Sequence, residues 1–308
     1  MDTVSVVEPI EAKEPLDSTS SQTPATERWW ESVVRSPIFT PALFVTGALV
    51  VLFWHLISGL GKLWMGNDGY YSHGVLVPFI AGYVVHKRWP QIRSIPIRPG
   101  WVALPLLGFV AYLAYVTTHT NINAILSLAF LLAVLCGIWF VAGWRWMVAL
   151  SLPVLYLGFA LPLWTGAIDF YTNPAQLAST SVAYQLLKAF GFNPMRFDAD
   201  PTTVYLSHFT LDIAVPCSGL KLMLAVTAFT AFFMMISSLK WWGNVAMVAL
   251  ILPLCVFVNG LRIAMIGMVG TTWGPEAGHQ FHDYSGYITL LVCFFILFKV
   301  ARGLGWKD

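Results

Sequence analysis

The sequence predicts an all-α polytopic membrane protein of about eight transmembrane helices, with an extracytoplasmic interfacial helix and a short hairpin. Three observations predict it. Of 308 residues, 57% are hydrophobic and only 10% charged; a soluble domain carries about 25% charged residues, so a water-facing globule could not be covered. The apolar residues fall into runs separated by polar loops, which suits helices whose backbone amides are all satisfied inside lipid. The basic loops alternate with loops poorer in Lys and Arg, as the positive-inside bias requires. The net charge of +2 is dispersed, with no basic stripe interleaved with aromatics, so the chain reads as a partner of membrane lipids and not of nucleic acid.

Residues 1–36 are rich in Glu, Ser, Thr and Pro and lack apolar periodicity, the composition of a disordered tail. Their acidic start is unlike a cleavable signal peptide, so the first span is expected to be a retained anchor. Residues 37–308 form the transmembrane domain, with spans expected near 39–60, 72–86, 100–118, 122–142, 146–165, 217–238, 242–262 and 285–300. Lys13, Arg28 and Arg35 precede the first span, while His86-Lys87-Arg88, Arg93 and Arg98 follow the second. Arg145, Lys240, Lys299, Arg302 and Lys307 fall on the same side, which assigns both termini to the cytoplasm. The long loop of about 166–216 is then extracytoplasmic. Its residues 167–190 have helical periodicity, with Tyr184, Leu187 and Phe190 on one side, as in an interfacial helix. Residues 202–215 alternate like a strand pair, with Asp200-Pro201 as the turn.

Three chemistry-bearing residues are brought level by this topology. From Cys217 down to Lys240 and back up to Arg262 the chain takes 23 and 22 residues. At about 1.5 Å per residue each leg is roughly 33 to 35 Å, about one bilayer core plus part of an interface. His282 lies where the chain re-enters for the last span, so it belongs to the same outer face. Cys217 follows Pro216 at a helix start, where unpaired amides and the helix dipole favour a thiolate. Cys136, Cys255 and Cys293 lie within spans and read as small hydrophobes. For Arg262 the bland alternative is snorkelling to headgroups, but Asn259, one turn earlier, gives that helix face a polar character suited to a cavity. For His282 the bland alternative is a solvated loop histidine. Asp283 is a weak candidate to orient its ring, and His279, three residues earlier, competes for the same role.

Two other classes fit the sequence less well. A zinc protease using His279, His282 and Cys217 or Asp283 lacks a His-Glu-x-x-His helix. A polytopic transporter or polysaccharide-export component would normally carry intramembrane acids or paired broken spans, whereas nearly all Asp and Glu here lie outside the expected spans.

The motifs Pro216-Cys217-Ser218-Gly219-Leu220, Asn259-Gly260-Leu261-Arg262, His282 with Gly286 four positions on, and Tyr71-Ser72-His73-Gly74 resemble those of the exosortase/archaeosortase family of multi-spanning cysteine transpeptidases. The likeness extends over roughly residues 60–300. It implies that Cys217, Arg262 and His282 are the active-site residues, that no cofactor or metal takes part, and that His73 has a structural or substrate-positioning role. Ser218 and Asn259, inside the motifs, are implied supporting positions. The implied substrates are secreted proteins ending in a short motif, a transmembrane helix and a basic cluster, cut at the outer face of a bacterial inner membrane.

Overall fold

The computed structural model describes residues 38–66, 70–120, 122–213 and 218–306. Helices dominate. In chain order they are α1 (Phe39–Leu52), α2 (Trp54–Met65), a 3-10 turn (Ser72–Val75), α3 (Leu76–Ile92), α4 (Ala103–Thr120), α5 (Asn123–Ala142) and α6 (Trp144–Tyr156). A second 3-10 turn (Leu157–Ala160) and α7 (Thr165–Ala189) lead to strands β1 (Met195–Phe197), β2 (Asp200–Tyr205) and β3 (Thr210–Asp212). The chain closes with α8 (Leu220–Ile236), α9 (Trp241–Trp273) and α10 (Pro275–Gly303).

By length and composition α4, α5, α9 and α10 can each cross a membrane. The number rises to six if two bent units, α1 with α2 at 69° and α6 with α7 at 58°, each count as one crossing. The expected eight is not reached among the described residues. The physical reason is length: α3 and α8 have 17 residues each, about 25 Å of helix against a hydrocarbon core of about 30 Å. In the first bent unit the break falls at Phe53, which is buried and set edge-on to Phe130 at 5.2 Å, so packing holds the bend.

Apolar clusters join these elements. Phe53, Leu56, Val110, Ala114, Leu126 and Val154 unite α1, α2, α4, α5 and α6, while Val226, Phe233, Met247, Val258 and Leu297 unite α8, α9 and α10. Large apolar side chains such as Phe44, Phe109, Leu252, Leu291 and Phe295 are left exposed on the outside, the surface a lipid-facing bundle presents.

The segment after α6 departs from expectation in four ways. The helix is present as α7, but its inner face packs on protein: Val182 and the Ser179 carbonyl occupy the space where a side chain on Gly260 of α9 would stand. Leu187 is fully buried and Tyr184 packs beside it, whereas Phe190, expected on that face, is exposed because the helix ends there. The expected strand pair is a three-stranded antiparallel sheet, β1-β2-β3. Asp200-Pro201 begins β2 instead of forming the turn, since Phe197 pairs with Asp200 and the reversal falls between them. Pro201 is tolerated at the strand start beside an irregular register, where it removes no regular ladder bond. Val204, Leu206, Phe209 and Leu211 seat the sheet on α7 and α9.

The last two helices run well past the expected spans of 242–262 and 285–300. α9 has 33 residues and α10 has 29, and the turn between them is Gly274 at φ +95 followed by Pro275 at the first helical position. Glycine adopts that φ without a Cβ clash, and proline there loses no helical hydrogen bond.

Candidate active site

The α9–α10 hairpin places Arg262 twelve residues before Gly274, and His282 and Ser285 eight and eleven residues after it. Antiparallel helices paired about one turn bring such positions to similar height. Arg262, half-buried on α9, donates from Nε to Ser285 Oγ at 2.9 Å and from Nη2 to the His282 carbonyl at 3.1 Å. Ser285, buried on α10, donates its own proton to the same carbonyl at 3.1 Å. Charge-assisted bonds of this kind are the stronger class, and here they tie the guanidinium to the helical turn that carries His282. Gly286 lies beside it, at a distance where a Cβ would make an ordinary contact of 3.9 Å with Arg262 Nη2.

The His282 ring has its Nδ1 3.3 Å from Asp283 Oδ1. The side chains are 38% and 78% exposed, so the pair orients the ring while adding little stability. Asp283 therefore reaches the ring despite being its chain neighbour. His279 is exposed and turned to the sheet, with its ring 6.0 Å from Phe209.

Cys217 lies outside the described residues, as do 214–216. The residues that flank this stretch are fixed. Gln176 of α7 donates to the Ile213 carbonyl, and Ser179, one turn on, donates to the Ser218 carbonyl at 3.5 Å. Ser218 is buried and its Oγ accepts the Leu220 N–H at 3.4 Å, opening α8. Gly219 precedes that helix at φ +85, and a Cβ on it would fall 2.9 Å from Asn259 Nδ2. The backbone two residues after Cys217 thus lies directly on the buried Asn259, one helical turn along α9 from Arg262.

The Tyr71-Ser72-His73-Gly74 turn packs against the start of α8, where Tyr71 meets Leu220 and Leu224. Trp64 covers Gly74, Tyr71 stacks with His73 at 6.4 Å, and Lys221 on the first turn of α8 is near enough for its charge to act on His73. Tyr71 Oη accepts the Trp164 N–H at 3.2 Å, and burial pushes its phenol up to about 12, so it stays neutral. Arg262, His282, Ser218 and Asn259 are therefore brought to adjoining parts of the α8–α9–α10 end, His73 lies near Lys221 at the start of α8, and His279 faces the sheet. Ser285, Gln176 and Ser179 escaped sequence reasoning; for Ser285 the available signal was the Gly274-Pro275 joint, which fixes its register against Arg262.

Comparison with curated proteins and with solved structures gave no match. The family model for transmembrane exosortase (Exosortase_EpsH) matches residues 64–299, a span that takes in the Tyr71–Gly74 turn, Cys217, Arg262 and His282. With that match over most of its 308 residues, the chain belongs to the transmembrane exosortase family.

Proposed function

We propose that the protein is a membrane-embedded cysteine transpeptidase that cuts the C-terminal sorting signal of secreted proteins and passes them onward through a thioester. The observation that carries this reading is the bonding of Arg262 to the turn bearing His282, on the α9 face that also meets the backbone following Cys217, in a chain of the exosortase family.

In the first half-reaction the Cys217 sulfur attacks the scissile carbonyl and its proton passes to His282. With Nδ1–H given to Asp283, Nε2 carries the lone pair that takes that proton. The carbonyl oxygen becomes an oxyanion in the tetrahedral intermediate, and the Arg262 guanidinium stabilises it; a fixed donor at such a position contributes about 10²- to 10³-fold in rate. Collapse breaks the C–N bond, His282 returns the proton to the leaving amine, and the acyl group stays on Cys217 as a thioester. An incoming nucleophile then takes the acyl group, or water hydrolyses it. The site faces the outside of a bacterial inner membrane, with both termini in the cytoplasm. Its partners are secreted proteins ending in a motif, an apolar helix and a basic cluster.

The test is co-expression with a secreted reporter fused to such a tail taken from a protein of the same genome. Cys217→Ala is expected to leave the precursor uncut while the enzyme accumulates normally in the membrane. The wild-type acyl-enzyme is expected to be released by hydroxylamine, which cleaves thioesters. Processing that persists in Cys217→Ala removes the nucleophile assignment.

A further inference from the structure

We propose that Ser285 is a positioning residue for the reaction: its hydroxyl holds the Arg262 guanidinium in the orientation from which Arg262 meets the oxyanion. This rests on the transpeptidase reading and adds to it a residue outside the motif positions.

The argument begins with entropy. An arginine side chain loses rotamer freedom worth as much as about 2 kcal/mol when fixed, and a guanidinium used on a transient charge must be held before that charge appears. Arg262 is held from one side by a two-point grip. Nε meets Ser285 Oγ at 2.9 Å and Nη2 meets the His282 carbonyl at 3.1 Å, so the planar fork is fixed in position and in rotation. The two anchors are themselves joined, because Ser285 donates its proton to that same carbonyl at 3.1 Å. The hydroxyl is thereby committed: its proton points to His282 O, and its lone pair is presented to Arg262 Nε. Ser285 is 1% exposed, so water does not compete for the contact.

Two other hydroxyls of the hairpin behave differently. Thr272 donates to Met268 O and Thr289 to Ser285 O, each within its own helix. Ser285 accepts across the helix pair, from a cation, at the height where the hairpin brings the histidine turn and the arginine together.

The geometry makes a packing role and a positioning role separable. Ser285→Ala removes only the oxygen, introduces a better helix former and fits the space. Ser285→Thr keeps the hydroxyl but forces a methyl into a filled site, which packing alone disfavours. In the full-length protein, processing of the reporter with the motif–helix–basic-cluster tail is followed by pulse-chase, together with the amount of reporter that co-purifies. For Ser285→Ala we expect conversion to slow by about 10- to 100-fold, the scale of a lost hydrogen bond to a charged group, with unchanged membrane accumulation and unchanged reporter co-purification. Ser285→Thr is expected to stay within about threefold of wild type, the cost of its added methyl falling on packing and not on the Arg262 contact. The order Thr above Ala marks the hydroxyl as the working group. Ser285→Ala equal to wild type, Ser285→Thr worse than Ser285→Ala, or equal loss in both variants with reduced membrane accumulation would each overturn the assignment. Those results are distinguishable from failure of the transpeptidase reading, which shows itself as processing by Cys217→Ala in the same assay.

Discussion

The α4–α5 hairpin and the α9–α10 hairpin are both antiparallel pairs of apolar helices, yet they spend their buried polar groups in opposite ways. In α4 and α5, Thr117 Oγ1 donates to Leu113 O at 2.9 Å and Ser127 Oγ to Asn123 O at 2.7 Å. Each hydroxyl is satisfied by its own helix, and the packing of one helix on the other is left to Val110, Ala114, Leu126 and Ala129. In α9 and α10, Arg262 reaches across to Ser285 and to the His282 carbonyl. A bond within one helix says nothing about its neighbour, whereas a bond across two helices fixes their register. What separates the two hairpins is therefore a half-buried cation that bonds from one helix of the pair to the other.

The comparison is most severely tested at the histidine turn. Replacing a general base costs about 10²- to 10⁴-fold in rate, so His282→Ala is expected to slow reporter conversion by that factor. His279→Ala is expected to leave it within about twofold, because that ring lies against Phe209 at 6.0 Å. Reversal of the two phenotypes in a pulse-chase comparison would move the base to the sheet side. One step smaller is Arg262→Lys, which keeps the charge but loses the planar fork that meets Ser285 and the His282 carbonyl together. A lysine at a site of two-point recognition is not conservative, and a loss of about 10²-fold is expected. Wild-type conversion in that variant would show that charge alone suffices.

Much of this hairpin was legible in the sequence. The expected topology puts Arg262 and His282 at one face, and the structure sets Arg262 against the His282 turn, while Cys217 lies outside the described residues. Ser285 escapes the sequence reading because the expected spans end at Arg262, on length, and begin again near residue 285, so the stretch between them reads as a loop. In the structure both helices continue through it, carrying Glu276, His279, Gln280 and Asp283 as helical residues. Backbone hydrogen bonding and the docking of Phe209 on Gly270 and Gly278 support helix where hydropathy gives no signal. The Gln176 and Ser179 contacts join α7 to residues 37 and 39 positions away, and no local pattern reports a contact at that distance. Likewise, Asp200-Pro201 has turn composition, but the strand pairing of Thr203, Val204 and Tyr205 with β3 overrides it.

Gly219 sharpens the comparison at a lower energy. At φ +85 any L-residue is strained by roughly 1 to 2 kcal/mol, and the added Cβ would stand 2.9 Å from Asn259 Nδ2. Gly219→Ala is therefore expected to lower the thermal midpoint in detergent and to slow conversion, since it pushes the backbone beside Cys217 off α9. Asn259→Ala in the same chain is expected to recover the steric part and not the backbone part. Full recovery would assign the whole effect to the contact between α8 and α9.

The smallest expected effect lies in the α4–α5 hairpin and asks whether its hydroxyls are as neutral as their bonding indicates. Thr117 is buried, and its Oγ1 contacts the Leu113 and Ala114 carbonyls at 2.9 and 3.1 Å, groups that also serve the helix ladder. Thr117→Val keeps the branched shape and removes a donor whose acceptors keep their backbone partners, so no buried group is stranded, and such replacements are nearly neutral. Conversion of the reporter is expected to be unchanged, and stability in detergent to hold within about 0.5 kcal/mol or to rise, because the backbone ladder satisfies those carbonyls without the hydroxyl. A loss as large as that of Ser285→Ala would mean that bonds within a helix and bonds across helices contribute alike, and the distinction between the two hairpins would lose its physical basis.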